Sequence, residues 1–114
     1  MNSEKPFSEW IGRSETSMDF VDESRVSKMY ATLNMPCPKP IHGQELPSLW
    51  HWMFFAPAVP FAELGYDGHP ERGGFLPPVD LPRRMWAGGR LDFYRHIKVG
   101  EEIRRVSSIK DIVS

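Results

Sequence analysis

The chain has 114 residues, with 14 Lys plus Arg against 15 Asp plus Glu and a formal charge of -1. That length argues for one domain with a small core, and nothing in the balanced charge suggests a basic nucleic-acid-binding surface or a polybasic membrane anchor. A single cysteine, Cys37, excludes an intrachain disulfide and a cysteine-based zinc site, and fits a reducing compartment.

No basic start leads into an apolar run, so no secretory leader is expected. Residues Met1 to Ile11 are polar and irregular, with Phe7 and Trp10 as candidate anchors. Next, Val26, Met29, Tyr30 and Leu33 recur at i, i+3, i+4 and i+7, one apolar helix face. Asp22 suits the N-cap, Glu23 suits the positive end of the helix, and Asn34 and Pro36 mark the stop. The pattern predicts a helix from Glu23 to Leu33 packed on a sheet.

From Pro36 to Pro82 the chain carries ten of its 11 prolines, which nearly excludes regular helix. One strand is predicted there, "LWHWMFF" at Leu49–Phe55, bulky, aromatic and free of proline. Alternation would put Trp50 and Trp52 on one face and His51 on the other. The longest apolar stretch, Trp52 to Val59, is broken by Pro57 and is too short to cross a bilayer. The segment after it has no periodicity, yet Phe61, Leu64, Tyr66, Phe75 and Leu76 offer more burial than a disordered tract needs. "GRLDFYRHI" predicts a strand, with Leu91, Phe93 and Ile97 alternating with mostly polar residues. "KVGEE" predicts a turn centred on Gly100. "EIRRVSSIKDIVS" predicts a further strand, whose apolar phase changes between Val106 and Ile109, as a bulge or strong bend would require. A strand closing at Ser114 would leave an open sheet edge, so the fold is expected to be incomplete in this chain.

Two constellations carry chemistry. Asp67 and His69 in "YDGHP" are an acid–base pair suited to adding or removing water; the plainer alternative is an Asp-Gly turn beside an exposed histidine. "LPRRMWAGG" sets Arg83 and Arg84 beside Trp86, Gly88 and Gly89. Arginine forks suit phosphates and glycines let backbone approach a ligand, so these five are the candidate substrate-binding residues. The alternative is a surface arginine pair beside a bulge. His42, His51, His69 and His96 lack the spacing of a metal site, so neither metal nor cofactor is expected.

"WHWMFF", "LGYDGHPERGGFLPPVDLPRRMWAGGRLDF" and "VGEEIRRVSSIKDI" resemble the N-terminal half of the MaoC-like dehydratases, in the branch of mesaconyl-CoA hydratase and the mitochondrial 3-hydroxyacyl thioester dehydratase. The resemblance covers residues 14–114, with residues 1–13 as an irregular lead. It implies an α+β hot-dog fold, a curved antiparallel sheet wrapping a helix. It implies hydro-lyase chemistry, the reversible hydration of an enoyl thioester carried by coenzyme A or acyl carrier protein. In such chains the catalytic His/Asp-type motif belongs to a second, C-terminal hot dog. No catalytic residue is therefore carried over to Asp67 or His69. A second hot-dog unit is the implied partner, neither nucleic acid nor membrane is, and the implied location is the cytoplasm, or the mitochondrion in a eukaryote. The arginines would meet the partner unit or a phosphate of the carrier. The other reading is a non-catalytic module that binds acyl thioesters or dimerises.

Overall fold

A computed structural model describes residues 7–65, 74–79 and 84–113. They form an α+β structure of strand β1 (Ser14–Phe20), helix α1 (Glu23–Thr32) and strand β2 (Glu102–Ser108), with short 3-10 helices at Ser8–Trp10, Trp50–Met53 and Phe61–Glu63. β1 and β2 pair antiparallel as a two-stranded sheet.

Helix α1 starts and stops where its sequence says. The Asp22 carboxylate accepts the Arg25 N–H at 2.8 Å, filling one of the vacant donors of the first turn. At the other end Asn34 takes a left-handed conformation (φ 54°), and the N–H groups of Asn34 and Met35 donate to the carbonyls of Ala31 and Tyr30. This is a Schellman stop with asparagine in the usual glycine position. The buried face is narrower than periodicity implies. Val26 and Tyr30 are buried and Met29 is half-buried. Leu33 is the C-cap and 49% exposed, because the chain turns away before a fourth apolar position can dock.

A single turn device recurs at both ends of the ladder. In Lys98–Glu101 the Glu101 N–H donates to the Lys98 carbonyl, with Gly100 at φ 103° in the third position. Gly100 N–H then donates to Val21, and Val21 N–H donates to Glu101. Those bonds define a turn that runs straight into a bulge, two residues facing one, and they need a residue that accepts positive φ. Gly12 repeats the arrangement opposite Ile109, and Gly43 repeats it opposite Val99. The third copy lays Glu45 antiparallel to Lys98. Register follows: Val21 faces Glu101, Arg13 faces Ile109, and Ser17 faces Arg105, whose guanidinium lies 3.5 Å from the Ser17 hydroxyl.

The strands depart from expectation in four places. The partner of β2 is β1, which the sequence reading does not assign as a strand; its apolar Met18 and Phe20 lie on the exposed side while Ser17 and Asp19 face inward. The predicted strand at 89–97 is irregular and mostly exposed; only Ile97 joins a ladder, accepting the Leu46 N–H at 2.7 Å. The predicted strand Leu49–Phe55 is instead the 3-10 helix Trp50–Met53. Leu49 and Phe55 at its ends have positive φ (76° and 65°), which no strand tolerates. Winding the segment seats Phe54 in the core and stacks Trp50 edge-on to Tyr30 at 4.7 Å, while Trp52 is left exposed. Burial against neighbours overrides strand propensity here. β2 keeps one phase, with Ile103, Ser107 and the following Ile109 turned inward and Val106 exposed; the bulge lies on the facing chain at Gly12, and β2 itself ends at Ser108.

The chain divides into two compact units. One comprises Met1–Thr16, Pro57–Gly88 and Val106–Ser114, the other Ser17–Ala56 and Gly89–Arg105. The second unit holds the main core: Val21, Val26, Tyr30, Leu46, Phe54 and Val99, flanked by Cys37, Ile41, Trp50, Met53, Phe55, Ile97 and Ile103. In the first unit Ile109 is buried, and the Arg13 guanidinium lies 4.2 Å over the half-buried Trp10 ring while donating to the Gly74 carbonyl.

Candidate functional site

The described residues among those singled out for binding lie on an irregular strap of chain. Arg84, Trp86, Gly88 and Gly89 are all exposed, with Trp86 at 76% and Met85 at 87%. No atom comes within 4 Å of where a Cβ on Gly88 would stand, so an approaching group would meet bare backbone there. Arg83 lies outside the described residues, as do Asp67 and His69. The strap continues through Arg90, which contacts Asp92 at 3.5 Å, to Arg95, which pairs with Glu101 at 3.2 Å. Glu101 also accepts the Lys98 N–H at 2.6 Å, and that bond first, then Arg95, lowers its pKa. Gly88 and Gly89 disfavour regular structure in this stretch, and arginine with an exposed indole suits phosphate and planar groups.

What the fold does assemble is an arginine clamped by two carboxylates in the second unit. Arg25, on the first turn of α1, donates from Nε to Asp22 at 2.5 Å and from Nη2 to Asp19 at 2.7 Å. Its remaining donors reach Asp19 again at 3.1 Å and the Phe20 carbonyl at 2.8 Å. The guanidinium plane sits 4.4 Å over the buried Phe54 ring. Asp19 accepts one more bond, from the Phe55 N–H at 2.8 Å. The Arg25 hydrogen bond, with the Phe55 amide behind it, holds the Asp19 carboxyl far below the usual range. At Asp22 desolvation pushes the pKa up, but the Arg25 backbone and guanidinium bonds outweigh it and the net shift is downward. Arg25 is raised in turn, chiefly by Asp19 and then Asp22. Such a cluster can hold backbone in place; carboxylates kept this firmly anionic cannot serve as general acids near neutrality. Sequence reading credits Asp22 with its capping bond but misses the rest, since Asp19 and Phe55 meet only through folding.

Beside it, Glu23, Ser24 and Ser27 of α1 and Cys37, Pro38, Lys39 and Ile41 line an open groove of about 510 Å³. His42 reaches Glu23 at 3.8 Å, and His96 reaches Glu45 at 3.8 Å. Among the described residues no three His, Cys, Asp or Glu side chains gather as metal ligands. No helix among them is long and apolar enough to cross a membrane.

Residues 49–114 match the family described as hydroxyacyl-thioester dehydratase type 2. The chain belongs to that family. A relative, the mesaconyl-C(4)-CoA hydratase of Chloroflexus aurantiacus, is 43% identical over 103 residues, 90% of this chain. The chain spans 37% of that relative's length. The resemblance read from the quoted motifs is thereby borne out. The family match takes in the whole exposed strap, the 3-10 helix at Trp50–Met53 and β2. It leaves out α1 and β1, which the similarity to the hydratase extends toward, being nearly as long as the chain.

Proposed function

We propose that this chain is an N-terminal hot-dog half, residues 14–114 after a lead at 1–13, of an enzyme that reversibly hydrates an enoyl thioester. The reaction adds water across the double bond conjugated to the thioester carbonyl of an acyl-coenzyme A or acyl-carrier substrate. The observation that carries the reading is the similarity to mesaconyl-C(4)-CoA hydratase over 90% of the chain, joined to the family match over residues 49–114. Because the chain spans 37% of that relative, the reaction is assigned to the assembly of this half with a second hot-dog unit.

In that assembly the chain supplies binding surface. Arg83 and Arg84 meet carrier phosphates or the partner unit, Trp86 offers a flat face to the carrier, and Gly88 and Gly89 allow its close approach. The exposure of Arg84, Trp86, Gly88 and Gly89 supports this placement, since a strap already packed into its own core would have nothing left to offer. A soluble enzyme of the cytoplasm, or of the mitochondrion in a eukaryote, fits this chemistry.

Purified chain, alone and mixed with a C-terminal hot-dog unit of the hydratase, is assayed by loss of the conjugated thioester absorbance of a short enoyl-CoA. Turnover is expected only in the mixture. Turnover by the chain alone, abolished by Asp67→Asn or His69→Ala, would overturn the division of labour and place the acid–base pair in this half.

A further inference from the structure

The segment Leu49–Phe55 is aromatic and bulky, a composition that favours extended chain. It is nevertheless wound into a 3-10 helix between two left-handed residues, Leu49 and Phe55. Bulky side chains enter that region only when their surroundings hold them there. The bonds within the turn, Trp52 N–H to Leu49 and Phe54 N–H to His51, account for its interior. At Phe55 the holding group comes from elsewhere: the Asp19 carboxylate on β1 takes the Phe55 N–H at 2.8 Å. Arg25 fixes that carboxylate through two of its own donors and rests on the ring of Phe54, the residue before. Arg105 lies 5.3 Å from the centre of the Phe55 ring.

We infer that Asp19, positioned by Arg25, is a conformational latch that holds Leu49–Phe55 in the wound form, and that releasing it lets the segment relax toward extended chain. This goes beyond the hydratase reading and does not depend on it. The latch acts at the end of the second unit's first segment, where Phe55 and Ala56 precede Pro57. A carboxylate is suited to the task because it presents a fixed acceptor that water cannot easily replace once an arginine has oriented it.

The test exploits glycine, which accepts positive φ as readily as negative, whereas alanine does not. Phe55→Gly and Phe55→Ala both delete the ring, so their difference isolates the backbone. In the full 114-residue chain, the Gly variant is expected to melt at or above the Ala variant. In an Asp19→Ala background the order is expected to reverse, because extended backbone favours alanine. A merely destabilising Asp19→Ala would lower both melts and preserve their order, and that result would overturn the latch. Amide exchange gives a second measurement. Asp19→Ala should speed exchange at Phe55 by about tenfold or more while Tyr30 in α1 changes less. If Asp19→Ala does not fold, the unsubstituted chain decides. A Phe55 amide exchanging as fast as that of exposed Ala56, or an Ala variant more stable than the Gly variant, refutes the proposal. A protected Phe55 amide together with a Gly advantage supports it.

Discussion

Gly100→Ala is the sharpest probe of how the second unit is built. Gly100 sits at φ 103°, closing the turn after Lys98 and opening the bulge opposite Val21. An L-residue in left-handed backbone costs about 1–2 kcal/mol. A Cβ there would also run into the His42 imidazole, whose Cε1 and Nδ1 occupy that space. His42 is 70% exposed and can swing aside, giving up its 3.8 Å contact with Glu23, so the steric part adds about 1 kcal/mol or less, the upper range of a surface ion pair. The expected total is about 1–3 kcal/mol, a fall in Tm of about 4–8 °C for each kcal/mol in a domain near this size. Gly88→Ala is the control, since no φ or neighbour opposes a methyl there. Thermal unfolding followed by near-ultraviolet circular dichroism reads both, with Trp50 against Tyr30 as the reporter. Adding His42→Ala should recover the steric part and leave the backbone part. Equal melting temperatures for Gly100→Ala and Gly88→Ala would refute the turn-and-bulge account of this register.

Val26→Ala removes a side chain that is 1% exposed and should cost about 1.5–3 kcal/mol, whereas Leu33→Ala, at the exposed C-cap, should cost under about 1 kcal/mol; equal losses in urea unfolding would show that α1 docks by another face. Acid should destabilise the fold: Asp19, Asp22 and Glu101 all have folded-state pKa values below their ordinary ones, so their contribution is complete above about pH 5 and is lost as pH falls through the ordinary values of 3.8 and 4.5 toward the lower folded ones. Urea midpoints at pH 7, 5 and 3 check this, and Asp19→Asn should flatten the decline between the last two. Arg84→Ala and Trp86→Ala should leave the melting temperature within about 2 °C because both residues are exposed, yet raise KM for an enoyl-CoA about tenfold in the complete hydratase assembly; unchanged KM in both variants would remove the strap from the binding surface.

Local chemistry was legible wherever neighbours in sequence are also partners in space. The helix, its Asp22 cap and its Asn34 stop, and the turn at Gly100 follow from short-range bonds, and the structure keeps each of them. The family was legible too, because its motifs are long and contiguous. Three features were decided only by tertiary contact. β2 pairs with β1 rather than folding back on residues 89–97: the sequence announces the turn at Gly100, but that its bulge faces Val21, and that Gly12 makes a second one opposite Ile109, is set by long-range bonds. Leu49–Phe55 winds instead of extending, because sinking Phe54 among Val21, Val26 and Val99 and bonding Phe55 to a carboxylate on β1 outweigh the preference of its side chains. The arginine clamp joins Asp19, Asp22 and Arg25, which sit close in sequence, to an amide at Phe55, which does not. Composition and spacing specify which bonds a segment can make with itself; burial and long-range hydrogen bonds choose among the conformations that those local bonds leave open.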